Sequence, residues 1–247
     1  MKNIRFLILT VPFVFFFSCG NTVQFLNTAK ESVNPANIGG ITQEEAANGL
    51  KEALKNGTGI GTDFLSQKDG FFKNLAYKIL FPPEAQKMEQ TLRKYGFGKQ
   101  CDKVIENINR GAEMAVAEAK PVFVKAITSM SIKDAIGIVT GGDGAGTSYL
   151  KQTTSDDLRT KFKPIIQQSL DKVEATKYWT QVMTSYNKLP GVQKINPDLN
   201  THVTDKALEA LFSQIEIEEN KIRKDPVART SEILKKVFNF ADLKKKK

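Results

Sequence analysis

From residue 41 onward, apolar side chains recur every three or four positions, the period of a helix with one buried face. Thr42 followed three residues later by Glu45 is a capping-box signature, and Ala46, Leu50, Ala53 and Leu54 share a face behind it. The glycine-rich stretch 56–61 is expected to kink or end that helix. Residues 71–82 are the one segment that reads as extended, closed by Pro82-Pro83. A second helix is expected over 83–95, with proline in its first turn and Gly96 as its stop. A third, over about 99–120, places Cys101, Val104, Ile105, Ile108, Ala112, Ala115 and Ala119 on one face. Pro121 begins a short helical stretch to residue 130. Ser131 with Asp134 opens a helix that stops at Gly141-Gly142, and Ser155 opens another that Pro164 restarts. Residues 165–189 are apolar on more than one side and are expected at the centre. Asn200 or Thr204 precedes a helix to residue 224, and Asp225-Pro226 opens the last one, ending near residue 240. With no Asn-Gly hairpin pattern and no internal repeat, the expected fold is all-α: one multi-helix, bundle-like domain over 42–240, with at most one short extended segment.

The first residues follow a different pattern. Lys2 and Arg5 precede an apolar run over 6–17 that only Thr10 and Pro12 interrupt, and Ser18-Cys19-Gly20 follows. A charged start, a dozen apolar residues and a small residue before the cut predict a secretory signal over 1–18. The run is shorter than the about 20 residues a spanning helix needs. Ser18-Cys19 resembles the lipobox of bacterial lipoproteins, with Phe16 where Leu is usual. That resemblance implies a diacylglyceryl group on the Cys19 thiol and cleavage in front of it. Several acyl chains, at about 0.8 kcal/mol per buried methylene, anchor a protein to a membrane. Residues 19–41 are rich in Asn, Thr, Ser and Gly and read as a flexible tether. About 20 such residues span about 25 Å as a coil.

Composition and charge narrow the partners. The chain has 247 residues, 40% hydrophobic and 26% charged, which excludes full disorder and a multi-span membrane protein. Two cysteines exclude a disulfide scaffold, and one histidine excludes a metal site of several histidines. The net charge is +9, but Lys2 and Arg5 leave with the signal and much of the rest sits in the lysine-rich tail 241–247. The body between is only mildly basic, and export removes nucleic acid as a partner. The tail reads as a solvated end that can reach anionic lipid.

Several strings resemble a family of exported bacterial proteins known as domain of unknown function 4197. They are Gly49-Leu50-Lys51-Glu52-Ala53-Leu54, Asn109-Arg110 with Glu113, Asp134-Ala135 with Thr140-Gly141-Gly142, Thr147 with Tyr149-Leu150, Val203-Thr204 with Ala207-Leu208, and Glu218-Glu219 through Ile222-Arg223 to Asp225-Pro226. The resemblance runs over roughly residues 43–238 and implies a helical envelope domain with no assigned activity. It also implies that tyrosine often stands where this chain has His202.

Candidate chemistry is sparse. The loop Gly141-Gly142-Asp143-Gly144-Ala145-Gly146-Thr147 follows a helix rather than a strand and lacks Gly-Lys-Ser/Thr, so it reads as a helix stop and restart. An anion could still sit on the free N–H groups at 147–150. No cofactor and no metal site is expected. Cys101 lies on an apolar stripe and reads as a buried, inert thiol. Glu219 falls in the middle of the stripe Leu208, Leu211, Phe212, Ile215 and Ile222, and a carboxylate there must be paired or protonated. Arg223, one turn on, and Arg110, across the bundle, are its expected partners. The pair reads as a buried link fixing helix register, or as a ligand-cleft carboxylate.

Together these features predict a membrane lipoprotein facing the periplasm, on the outer membrane, held through acyl chains on Cys19. Its expected role is non-catalytic binding of an envelope protein or an apolar ligand. The alternatives are a hydrolase using Glu219 with Glu113 or Asp134, and a carrier of an apolar molecule in an interhelical cleft.

Overall fold

The computed structural model describes residues 40–172, 176, 179, 180, 183, 184, 187, 188, 190, 194, 196 and 198–245. The signal segment, Cys19 and most of the expected tether lie outside these residues, as do much of 173–197 and residues 246–247. Everything described belongs to the compact unit Ile38–Lys247.

The helices are α1 (Gln43–Ser66), α2 (Gln86–Lys94), α3 (Gly98–Ala117), α4 (Ala119–Ser129), α5 (Ile132–Val139), α6 (Ala145–Asp171), α7 (Leu199–Lys224) and α8 (Glu232–Lys245). Single 3₁₀ turns at Pro83–Ala85 and Pro226–Ala228 precede α2 and α8, and no strand element occurs among the described residues. The fold is all-α and bundle-like, as the periodicity predicts. Helix α1 packs on α3, α4, α5, α7 and α8, while α6 lies against α3, α4 and α7. Between them Leu50, Leu54, Ile108, Phe123, Leu158, Phe162, Leu211 and Ile215 are buried. Each such side chain contributes about 1.5–3 kcal/mol by leaving water. Phe123 and Phe212 meet edge to face, 6.1 Å between centroids.

Two helix starts follow the local signals as expected, and a third is capped by a neighbour of the expected residues. Thr42 and Glu45 form the reciprocal capping box of α1. Ser131 caps α5 through the Asp134 amide, and Asp198, rather than Asn200 or Thr204, caps α7 through the Thr201 amide.

Four expectations are corrected by packing. Helix α1 does not end at 56–61 but continues to Ser66. Gly61 lets α7 come close, since a Cβ there would stand 3.2 Å from Ile215 Cγ1. The expected helix over 99–120 is divided at Glu118 into α3 and α4. Helix α6 begins at Ala145 and runs through both Ser155 and Pro164. Ser155 donates back to the Lys151 carbonyl as an interior serine does. Pro164 is exposed and so is Thr160, whose carbonyl the proline leaves without its helical donor on the solvent side, where that loss costs least. The last helix starts at Glu232, because the turn after Pro226 does not propagate.

Residues 67–82 form turns to residue 77 and then run without regular structure to Pro82, so the segment 71–82 expected to be extended is mostly turn, because Asn109 and Glu113 of α3 hold it by its backbone. Among the described residues no helix is long and apolar enough to cross a membrane.

Candidate functional site

The glycine-rich loop between α5 and α6 and the acidic end of α7 form one unit. Gly144 takes the N-cap position of α6 at φ +69, a left-handed conformation that suits glycine, and it has no side chain to cap the helix. A residue from α7 does so. Gly146 N–H donates to Glu219 Oε1 at 2.9 Å, and the Thr147 amide and hydroxyl both donate to Oε2 at 2.7 Å. Arg223 Nε donates to Oε1 at 2.8 Å. A carboxylate offers about four acceptor positions, and all four are taken. Glu219 is 3% exposed, so these bonds replace its lost hydration.

Arg223 serves the other side of the loop. Its Nη2 donates to the Ile138 carbonyl at 2.9 Å, and its Nη1 lies 3.5 Å from the Val139 carbonyl, both at the C-terminal end of α5. The ion pair therefore places negative charge at the start of α6 and positive charge at the end of α5, where each helix dipole favours it. Neighbours on α7 complete the seat: Asn220 Oδ1 accepts from Gly144 N–H at 3.0 Å, and Lys224 pairs with Asp143 at 2.5 Å. A Cβ on Gly146 would come within 2.6 Å of Leu54 Cδ2 and 3.1 Å of Glu219 Oε1, which explains glycine there.

Arg229, which the sequence reading did not single out, closes the C-terminal end of α7. It is buried and donates to the Ile222 and Arg223 carbonyls, to Asn239 Oδ1 at 2.6 Å and to Asp242 Oδ2 at 2.8 Å. Both guanidiniums lie near the Phe238 ring, that of Arg223 5.7 Å and that of Arg229 5.9 Å from its centroid. The available signal was a basic residue just past a helix end, which commonly binds the last carbonyls.

Arg110 does not meet Glu219. It pairs with Glu113 at 2.8 Å and Asp69 at 2.7 Å, and stacks over Phe72 at 5.0 Å. Its guanidinium holds the Asp69 carboxyl below the usual carboxylate range. Glu113 Oε1 accepts from the Phe71 and Phe72 amides, and Asn109 binds both the amide and the carbonyl of Ile79 at 2.8 Å. The Asn109-Arg110…Glu113 string thus acts as a clamp on the segment 67–82. Asp134 is exposed and bonds Ser131. The carboxylates considered for hydrolysis therefore serve three separate local structures.

His202 Nε2 contacts the Leu80 carbonyl at 3.0 Å, at the edge of a cleft of about 400 Å³ that Lys78, Phe81 and Lys206 also line. Burial pushes the Cys101 thiol up, which suits an inert side chain. A second cleft, about 580 Å³, lies between α1 and α7 over Gly59, Ile60, Ile222 and Ala228, with Lys55, Asp63 and Lys221 around it. Among the described residues no group of three or more His, Cys, Asp or Glu side chains is placed to hold a metal ion.

No curated protein and no solved structure matches the chain. The family described as "Protein of unknown function (DUF4197)" matches residues 40–239, which take in α1 to α7, the first half of α8 and the Glu219 and Arg110 networks, and the chain belongs to that family.

Proposed function

We propose that the chain is a periplasm-facing lipoprotein of the outer membrane, anchored by acyl chains on Cys19, whose folded body acts by binding and not by catalysis. The observation that carries the non-catalytic half is Glu219: with its four acceptor positions filled by backbone amides, a hydroxyl and Arg223, it has no lone pair left for a substrate or a water. The anchoring half rests on the charged start, the apolar run and Ser18-Cys19. Metabolic labelling with an alkynyl fatty acid tests it: the protein takes up label and its Cys19→Ala variant does not. Equal labelling of both ends the anchor assignment. The cleft between α1 and α7, floored by Ile60 and Ile222, favours a carrier role as the second reading. Native mass spectrometry of protein drawn from its own membrane reads that directly as a retained apolar mass.

A further inference from the structure

The corner between α2 and α3 carries two exposed aromatic side chains flanked by exposed lysines. Helix α2 has no fully buried residue and rests on α3 through the half-buried Met88 and Leu92. It ends in a fixed turn. Gly96 adopts φ +90, its amide donates to the Arg93 carbonyl at 3.2 Å, and the Phe97 amide donates to the Leu92 carbonyl at 2.9 Å. This is the Schellman pattern of paired reverse bonds, which stops a helix on a left-handed glycine and fixes the direction of the residues on either side. Here those residues are aromatic. Tyr95 is 78% exposed and Phe97 49% exposed, and α3 begins at the next residue.

Leaving two aromatic rings in water on a firmly bonded corner loses the hydrophobic gain of burying them, so a surface that covers them is favoured. The charges beside them say which surface. Lys94 and Lys99 flank the pair and are exposed, and neither forms an ion pair among the described residues. Arg93, by contrast, is held by Glu89 and Asp102, which neutralises that guanidinium locally. Tyrosine and phenylalanine between free lysines match a bilayer interface: rings among the upper acyl carbons, the tyrosine hydroxyl in the wet layer, ammonium groups at anionic phosphates.

We propose that the Tyr95–Phe97 corner rests on the surface of an anionic lipid bilayer, giving the body a second contact besides its anchor. This deepens the lipoprotein reading and relies on it for bringing the domain to a membrane, yet it can be tested without the anchor. A chain of residues 20–247 keeps the whole compact unit Ile38–Lys247 and has neither the signal segment nor Cys19. Its partition is measured by sedimentation with vesicles of phosphatidylcholine containing about one third phosphatidylglycerol. The parent binds. Tyr95→Ser with Phe97→Ser lowers the partition coefficient about tenfold, since two interfacial rings are lost. Lys94→Gln with Lys99→Gln lowers it about fivefold per charge and flattens its dependence on salt.

All variants carry the same C-terminal lysines, so differences between them belong to the corner. An unchanged thermal midpoint shows that the serine variant is folded. Tyr95→Trp gives a depth reading: the emission of the new indole shifts to the blue on vesicles and is quenched by lipids brominated near the head group, while Trp179, buried against Phe81, stays constant. Equal binding of parent and serine variant overturns the proposal, as does an emission from the Tyr95→Trp variant that vesicles leave unchanged. Equal labelling of the protein and its Cys19→Ala variant in the separate experiment removes the anchor and leaves this result standing.

Discussion

Glu219 and Arg223 are each 3% exposed, and their value lies in what they bond and not in their charge alone. Removing the carboxylate leaves two amides and the Thr147 hydroxyl at the start of α6, and the Arg223 Nε, without their acceptor in a dry setting. Glu219→Ala is expected to lose about 3–5 kcal/mol in urea unfolding, as breaking one side of a buried pair does. Glu219→Leu combined with Arg223→Met should lose less than the sum of the two single changes, because no unpaired charge remains. Additive losses would mean that the two side chains act independently. The position of Glu219 on an apolar stripe was readable from a 100° turn per residue, and Arg223 from the i+4 spacing. The cross-bundle pairing with Arg110 was not readable, because the fold brings Asp69 and Glu113 to Arg110 first. Arg229 escaped notice since its partners come from three places: the end of α7, Asn239 and Asp242.

Among the elements, α1 shows how one residue type plays opposite parts along a single helix. Gly49 lies under α8, where an added Cβ would sit 2.6 Å from Val237 Cγ2. Gly59 faces open space with nothing within 4 Å. Gly59→Ala should therefore stabilise by about 0.5–1 kcal/mol through helix propensity, and Gly49→Ala should destabilise by about 1–3 kcal/mol through overpacking. Thermal melts of the two variants check both signs, and shifts in the same direction would refute the contact assignment. The glycine-rich stretch looked like a helix end because propensity is local. It continues because closeness to α7 offsets the cost. Ser155 and Pro164 misled in the same way: buried Leu150, Thr154, Leu158, Phe162 and Ile166 hold α6 straight through them. Where the local signal was itself a hydrogen bond within the first turn, as at Thr42 and Ser131, it was reliable, whereas the Asp225 cap opened only a 3₁₀ turn.

At the scale of the whole molecule, carboxylates on the outside join distant segments and make stability depend on pH. Asp69 is held below its ordinary range by hydrogen bonds from Arg110 and then Lys73, and Glu45 by those from Lys236 and the Thr42 amide. Asp69 ties the segment 67–82 to α3, and Glu45 ties α1 to α8. Both folded-state values lie below the unfolded ones. Their contribution is therefore complete above the ordinary carboxylate values near pH 4 and is lost as pH falls through the lowered ones. Asp69→Asn with Glu45→Gln should melt below the parent at pH 7 and meet it in strong acid; curves that stay parallel through acid pH would exclude these two groups. Asparagine suits position 69, where φ is +71. By itself the sequence determined the helical class, the caps that start α1 and α5 and the buried place of Glu219. These follow from spacing and from bonds within one turn, which do not depend on distant residues. Only the tertiary structure decided where α1 and α6 continue, whom Arg110 and Arg229 bind, and that the glycine-rich loop seats α7. Those outcomes depend on which surfaces meet, and residues far apart along the chain meet only after it has folded.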